Sequence, residues 1–241
     1  MALALSNGVV ALENEKVVGT TLTTRYGADC ATINMVVVDE AMRGRGLGRR
    51  LMEAGLDAAC GMPCRLIATQ EGLPLYEKMG FREVGTILQH QGFCAAVDAP
   101  VDVEWAQPGH LPEIAALDRD AFGADRGGLI SYLKNIGRFA VIRRDGHVVG
   151  LSTVRPFGRG EVIGPVVAEN AEDARKLILF PMAARRHAFL RIDTTSAAGL
   201  SSWLAERGLV HVGGGTAMQR GDQPRKLSHA KTFALANQAF G

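Results

Sequence analysis

Residues 43–48, with the sequence RGRGLG, join an apolar run to an amphipathic segment. The run at residues 33–38 is rich in β-branched side chains, which predicts a buried strand. The segment at residues 49–56 places its apolar side chains along one helical face. The alternating glycines leave main-chain N–H groups open to a ligand, and a helix N-terminus adds a partial positive charge. The sequence therefore predicts a loop that holds an anion such as a pyrophosphate.

The glycine spacing narrows the choice of phosphate ligand. A dinucleotide-binding fingerprint needs a third glycine three residues after the second, and a P-loop needs Gly-Lys-Ser/Thr. Neither pattern is present around Gly44 and Gly46. The order Arg-x-x-Gly-x-Gly after a strand resembles the coenzyme A loop of the GNAT acetyltransferases. A plain glycine-rich turn, or an Arg-Gly patch that touches RNA, is the alternative at this point.

A second motif follows about thirty residues later. Residues 65–69 predict a strand, residues 72–81 a short helix with Pro74 near its start and Gly80 at its end, and residues 82–88 another strand. The sequence Tyr-Glu-Lys-x-Gly-Phe within this segment also resembles GNAT enzymes. Because both motifs occur in the family's order, the chain is identified as a member of the GNAT superfamily.

The length and composition of the chain limit the classes of protein to which it can belong. A chain of 241 residues allows one or two domains, and a formal net charge of +2 gives no argument for nucleic acid as a partner. No apolar run is long enough to span a bilayer, and no signal peptide is recognisable, so we expect a cytoplasmic protein with no membrane partner. The four cysteines and six histidines do not follow metal-ligand spacing, and we expect no metal.

The chain repeats itself. Two polar turns that lead into Val-Val-Gly, at residues 14–19 and 145–150, match in character, and residues 65–85 are echoed by residues 191–213. Two copies of one unit are the simplest account. We therefore predict an α/β fold (an α+β mixed sheet) with two GNAT-like domains in tandem, at residues 1–98 and 99–241. This layout resembles the tandem-GNAT proteins over nearly the whole chain.

The second copy lacks the anion loop. Residues 163–173 carry Glu169, Glu172 and Asp173 where a pyrophosphate would need positive potential, and Leu204 stands at the place of Tyr76. We expect the second domain to bind no coenzyme A. Its expected role is to brace the first domain and to shape the acceptor side of the cleft.

The first copy lacks the opening strand and two helices that the resemblance implies, because a strand is already predicted at residues 8–12. Either the sequence starts late or the second half supplies the missing wall, and a late start is the favoured expectation. In the second half, the charged run at residues 117–126 has two interpretations. It presents Asp118, Asp120, Asp125 and Arg126 to a polar acceptor, or it is a solvated helix end with i,i+3 or i,i+4 ion pairs. The three consecutive glycines at residues 213–215 predict a bent strand.

The resemblance implies acetyl-CoA as co-substrate and assigns roles to individual residues. Tyr76 is the expected proton donor to the departing thiolate, with a simple packing role as the alternative. The expected acetyl-CoA contacts are Val36, Val37, Val38, Arg43, Gly44, Arg45, Gly46, Leu47, Gly48, Arg49 and Thr69. The N–H of Val38 is the expected donor to the developing oxyanion.

No general base is evident. Thr32 stands where some GNAT enzymes carry a glutamate. Deprotonation of the amine would then use water held by Asn34, Asp29 or a carboxylate of the second half, or the acceptor would be an amine of low pKa.

The predicted function is transfer of the acetyl group of acetyl-CoA to a primary amine of a small molecule or peptide. A non-catalytic acyl-CoA-binding sensor or scaffold is the alternative, and a longer acyl donor would use the same loop. The acceptor and the oligomeric state stay open.

Overall fold

The computed structural model describes residues 1–222 and 229–241. Its first half contains α1 (Ala2–Leu5), β1 (Asn7–Glu13), β2 (Lys16–Tyr26), β3 (Cys30–Val38), α2 (Leu47–Ala58), β4 (Cys64–Ala68), α3 (Leu73–Lys78) and β5 (Arg82–Phe93). The strands and helices predicted for both motifs are confirmed, but the strand at residues 33–38 is not buried as predicted, since the side chains of Met35 and Val37 on one face of β3 are exposed. The helix predicted at residues 72–81 is shorter, and β5 runs five residues beyond the predicted strand.

The second half follows a connection at residues 94–103 that carries no helix or strand. It contains β6 (Glu104–Trp105), α4 (Leu111–Phe122), α5 (Gly127–Ile136), β7 (Arg138–Arg144), β8 (His147–Phe157), β9 (Gly160–Ala168), α6 (Ala171–Ala183), β10 (Phe189–Thr195), α7 (Ser201–Ala205), β11 (Val210–Arg220) and β12 (Lys231–Ala234). The predicted mixed α/β fold is confirmed.

One mixed sheet runs through both halves, in the order β1-β2-β3-β4-β11-β5-β10-β12-β9-β8-β7-β6. Strand β11 of the second half lies between β4 and β5 of the first, and β5 lies between β11 and β10. Each half therefore places one long strand between strands of the other half. This exchange joins the two halves through main-chain hydrogen bonds.

The glycine run in β11 is a bent strand, as predicted. The register against β5 shifts between His211 and Gly213, and Gly214 passes so close to the carbonyl group of Ile87 that a Cβ atom there would collide with it. Glycine is required where two main chains approach this closely.

Parallel strands separate at the same place in each half. In the first half, β3 and β4 pair only at Ala31–Cys64 and Thr32–Arg65, and then diverge. In the second half, β9 and β10 pair only at the Glu161–Leu190 and Val162–Arg191 positions. The second gap contains β12, which pairs with β9 on one side and with β10 on the other.

The helices cover both sides of the sheet. Helix α2 lies against β2 and β3, where Thr23 Oγ1 donates a hydrogen bond to the Gly55 carbonyl oxygen at 3.0 Å. Gly55 permits this contact, because a Cβ atom there would lie 3.2 Å from Thr21 Oγ1. Helices α4 and α5 pack on β7, β8 and β12. Among residues 1–222 and 229–241, no helix is long and apolar enough to cross a membrane.

The two halves begin with different secondary-structure elements, as predicted. The second half begins with β6, α4 and α5, whereas the first offers only the four-residue helix α1 before β1. Strand β1 forms one edge of the sheet, and Val10 and Leu12 on it are exposed. Residues of α4 and of the segment after β12 line a cavity together with residues of the first half, so the second half supplies part of the wall of that cavity.

Both interpretations of the charged run were wrong for Asp118 and Arg126. These side chains are fully buried and form a bidentate ion pair eight residues apart, at 2.6 and 2.9 Å. Arg126 also donates to the main-chain oxygens of Phe240 and Gly241. The pair therefore fastens the last residues of the chain to α4.

Candidate functional site

The open edge of β3 is the first part of the site. Asp39 N–H donates to the Val18 oxygen on β2 at 2.8 Å. Because N–H groups alternate along a strand, those of Val38 and Val36 point away from β2, into the gap beside β4. Met35 has a φ of +52° within a bulge of β3, which accommodates the register shift between Thr20 and Leu22 of β2. Main-chain donors thus face the gap.

The loop between β3 and α2 is the second part. Gly44 and Gly46 both have a φ of +76°, and nothing lies within 4 Å of the position of a Cβ atom at either residue. Helix α2 begins after Gly46 without a side-chain cap, which leaves its first N–H groups without acceptors. Gly48 brings the first turn of α2 against Leu75 of α3. Leu47 opens the same turn, so the loop and two helices converge at one point.

The three arginines of the loop differ in their contacts. Arg45 pairs with Glu13 of β1 at 3.0 Å, and Arg49 pairs with Glu53 one turn later at 2.9 Å. Arg43 has no ion pair within the part of the chain that the structure describes. All three are solvent-exposed, so Arg43 is the one whose charge is not already paired.

Tyr76 lies on α3, buried beside Phe81, with the two ring centroids 6.1 Å apart. Gly72 makes room for it, because a Cβ atom on Gly72 would lie 2.7 Å from Tyr76 Cε2. Thr69 follows β4, and its oxygens accept hydrogen bonds from the Gly72 and Leu73 N–H groups. Burial raises the pKa of Tyr76, so its phenol stays protonated at neutral pH.

The acceptor face of the gap carries few polar groups. Asn34 Nδ2 donates to the Ala239 oxygen at 3.1 Å, while its buried Oδ1 has no hydrogen-bond partner within residues 1–222 and 229–241. Asp29 precedes β3 and accepts from Asp125 N–H. It lies about 16 Å from Asn34 along the strand. Asp29 therefore lies far along β3 from Asn34, and a role for it in holding a catalytic water stays a prediction.

Two buried carboxylates of the second half are already engaged by arginine side chains. Asp118 is paired with Arg126, and the buried Asp193 is paired with Arg191 at 3.0 Å. Among the described residues, no cluster of three or more His, Cys, Asp or Glu side chains could hold a metal ion.

The second half lacks an equivalent loop. Residues 39–46 separate β3 from α2, whereas only Glu169 and Asn170 separate β9 from α6. Asn170 caps α6 by accepting from Asp173 N–H at 2.9 Å, and Asp173 pairs with Arg144 at 2.7 Å. The N-terminus of this helix is thus already occupied by a side-chain cap and a carboxylate.

The sequence interpretation missed Arg65 as a functional candidate. Arg65, the second residue of β4, lines a 260 Å³ cavity beside the gap, and Phe122 of α4 also lines it. We call this space the central cavity. The available signal was a cation within an otherwise apolar strand sequence, but the wall from α4 comes from 57 residues later and leaves no local pattern.

Comparison with known proteins agrees with this architecture. The acetyltransferase (GNAT) domain is matched twice, over residues 5–83 and residues 114–234. YitH of Bacillus subtilis (strain 168), an uncharacterized N-acetyltransferase, is 30% identical over 227 residues, which cover 87% of this chain and 76% of that protein.

Two solved structures are similar in fold. One, assigned as an acetyltransferase from Pyrococcus horikoshii, has a TM-score of 0.81 at 21% identity and covers 97% of this chain and 80% of its own. The other, a tandem GNAT protein from the clavulanic acid biosynthesis pathway, has a TM-score of 0.55 at 13% identity and covers 92% and 85% of the two chains. The chain therefore belongs to the GNAT acetyltransferase family and carries two such domains in tandem.

Proposed function

We propose that this protein transfers the acetyl group of acetyl-CoA to a primary amine, with the donor bound in the first half only. The observation that carries the proposal is the gap between β3 and β4, which opens beside an uncapped helix N-terminus. Enzymes of this family use acetyl-CoA as co-substrate and act on amines of small molecules or peptides.

The donor-binding residues follow from this arrangement. The N–H and C=O groups of Val36 and Val38 would pair with the amide groups of the pantetheine arm, as an added strand would, while Val37 keeps its pairing with β2. The N–H groups from Gly44 to Arg49 would hold the pyrophosphate, because both left-handed glycines leave the loop open to it. Arg43 would add an unpaired positive charge, and Thr69 would hold α3 at the far side.

The chemistry is a direct transfer. The lone pair of a neutral amine attacks the thioester carbonyl carbon, the C–N bond forms and the C–S bond breaks. The negative charge that develops on the carbonyl oxygen is stabilised by a main-chain N–H of β3 that faces the gap. Tyr76 gives its phenolic proton to the sulfur and is reprotonated from solvent, and the amine releases its extra proton to water. The raised pKa of Tyr76 supports this role, because the phenol is in its acid form at neutral pH.

Removal of the amine proton has no carboxylate to assist it among the described lining residues of the central cavity. Asn34 remains the polar side chain best placed to hold a water molecule, through its unpaired Oδ1. A lysine amine with a pKa of about 10.4 costs roughly 4.6 kcal/mol to neutralise at pH 7, against about 1 kcal/mol for an α-amine at 7.8. The acceptor is therefore an amine whose pKa is low or is lowered on binding.

The second half would bind no donor. Strand β12 fills the gap that corresponds to the donor site, and a helix that is already capped replaces the pyrophosphate loop. Its role in the proposal is to complete the wall of the central cavity.

The test is a calorimetric titration with acetyl-CoA. We expect one equivalent per chain, and we expect Gly46→Asp to weaken binding at least tenfold by placing a carboxylate beside the pyrophosphate. Gly61→Asp is the matched control, because Gly61 also has an open Cβ position and a φ of +77°. Two equivalents would refute the assignment of the second half.

Other outcomes of the titration are equally decisive. Absence of binding by the unaltered chain would refute the donor site. Binding without transfer to any amine would favour an acyl-CoA sensor over an enzyme.

A further inference from the structure

The central cavity lies on the acceptor side of the sheet, at the base of the gap between β3 and β4. Thr32 and Arg65, the last pair before these strands diverge, both line it. Its volume of 260 Å³ is below the roughly 300 Å³ at which pockets for drug-sized ligands begin. The space therefore suits a small molecule rather than a folded protein segment.

The wall of the central cavity is mostly apolar. Ile87, Ala217, Met218 and Leu235 contribute aliphatic surface, and Phe122 contributes a ring. No aspartate or glutamate side chain occurs among the described residues that line it. An apolar group on the ligand would thus be buried favourably here.

Arg65 is the cationic side chain among these described lining residues. Its Nη1 donates to the Phe122 main-chain oxygen at 3.0 Å, and its guanidinium carbon lies 4.4 Å from the centroid of the Phe122 ring. These contacts fix the plane of the guanidinium group. Its other N–H groups have no acceptor within residues 1–222 and 229–241, and it forms no ion pair there.

The charge of Arg65 has no carboxylate partner among residues 1–222 and 229–241. Burial lowers its pKa, and the neighbouring Arg126 lowers it further. The charge of Arg126 is matched by Asp118, so this neighbour brings no spare carboxylate. A partly buried guanidinium without a counter-charge is costly, and a ligand carboxylate would offset that cost through a bidentate contact.

The position of Arg65 links its side chain to the proposed acetyl transfer. Arg65 lies where the gap begins, and the thioester of acetyl-CoA is proposed to point toward this end, because the pyrophosphate loop follows the other end of β3. A carboxylate held there brings a nearby amine to the thioester only if few bonds separate the two groups, as in an α-amino acid. Pairing with Arg65 also neutralises the carboxylate, which would otherwise favour the ammonium form of the adjacent amine.

We propose that the central cavity binds the amine acceptor as an α-amino acid with an apolar side chain, its carboxylate paired with Arg65. This inference rests on the proposed acetyl transfer and names the acceptor of that reaction. Arg65 orients the acceptor, and the aliphatic wall receives its side chain.

The test compares each amino acid with its own amide in the presence of saturating acetyl-CoA. L-leucine, L-methionine and L-phenylalanine are paired with L-leucinamide, L-methioninamide and L-phenylalaninamide, which differ by loss of the carboxylate. We expect kcat/KM for at least one acid to exceed that of its amide more than tenfold. Equal use of acid and amide, preference for the amide, or no binding and no turnover of any acid would overturn the inference.

Variants of Arg65 separate its proposed role from a structural one. Arg65→Gln should raise KM for the preferred acid more than tenfold and reduce the difference between acid and amide to within about threefold. Arg65→Lys keeps the charge and should give an intermediate KM. Arg143→Gln is the control, because Arg143 is exposed and lies on β7, from which no described residue lines the central cavity. An unchanged acid preference in Arg65→Gln would also overturn the inference.

Calorimetric measurement of acetyl-CoA binding in every variant distinguishes failure of the proposed acceptor from failure of the proposed acetyl transfer. If the chain binds acetyl-CoA and acetylates other amines but no apolar amino acid, only the proposed acceptor is refuted and the proposed acetyl transfer stands. If the chain binds no acetyl-CoA, the proposed acetyl transfer and the proposed acceptor are both refuted.

Discussion

Leu235 spans the gap between the separated strands of the second half, with its main-chain oxygen packed against Gly164. A Cβ atom on Gly164 would collide with that oxygen, while the Leu235 N–H donates to the Asp193 oxygen of β10 at 2.8 Å. One residue thus contacts both separated strands. In the first half the pairing of β3 with β4 ends at Thr32–Arg65, and no described strand lies between them beyond that point. The two copies therefore share an architecture but differ in what fills the space between their strands.

Gly164→Ala should destabilise the protein by more than about 1 kcal/mol. The substitution adds a methyl group against the Leu235 oxygen, and Gly164 has a φ of +154°, which an L-residue rarely adopts. Urea unfolding at pH 7 measures the effect. Gly128→Ala on α5 is the control, because its Cβ position is open, and we expect it to be neutral or to stabilise by about 0.5–1 kcal/mol. Equal stability of the two variants would contradict the packing of Leu235 on β9.

Asp118→Asn should lower the free energy of unfolding by about 3–5 kcal/mol, because it leaves the fully buried Arg126 charge without its partner. The exposed pair between Arg49 and Glu53 provides the comparison. Glu53→Gln should change stability by no more than about 0.5 kcal/mol. Denaturant titrations of both variants give the two values, and a loss below about 1 kcal/mol for Asp118→Asn would mean that water reaches the pair.

The sequence predicted the parts of the structure that depend on local pattern. The glycine loop, the amphipathic helix after it and the Tyr76 segment each carry their signal within about ten residues. The strand exchange leaves no such signal, because the neighbours of β11 are strands more than a hundred residues earlier in the chain. Gly213 and Gly214 indicated a bent strand, but not which strands it would join.

The buried ion pair was missed for a related reason. Asp118 lies on α4, which ends at Phe122, whereas Arg126 directly precedes α5, so no single helix carries both side chains. Their burial depends on the last residues of the chain, whose carbonyl oxygens accept from Arg126. A charge pattern within one segment cannot show that a distant segment will cover it.

Because of Tyr26, we expect the free energy of unfolding to fall at alkaline pH. Burial raises its pKa from 10.0 to about 12 in the folded protein. The phenol therefore contributes stability that is complete below pH 10 and is lost as the pH rises through 12. Relative to pH 8, the contribution should be smaller by roughly 1.4 kcal/mol at pH 11.

Tyr26→Phe isolates this effect. At pH 8 the variant should be less stable by about 1 kcal/mol, because Tyr26 donates a buried hydrogen bond to the Phe240 oxygen at 2.9 Å. By pH 11 the difference should have disappeared. Denaturant unfolding of both proteins at the two pH values measures it, and a difference that is constant with pH would contradict the burial of the phenol.

Tyr76→Phe should lower kcat by at least about a hundredfold, because it removes the proposed proton donor to the thiolate. Its affinity for acetyl-CoA should not change, since the proposed donor contacts are main-chain groups of β3 and of the loop before α2. Its stability should also change little, because Tyr76 Oη forms no hydrogen bond within the described residues and the ring keeps its contact with Phe81. The two proteins are compared by their steady-state rates from pH 6 to pH 10. Tyr132→Phe is the control for loss of a hydroxyl group. Full activity of Tyr76→Phe across that range would leave Tyr76 a packing residue and would move the search for the proton donor to the water in the gap.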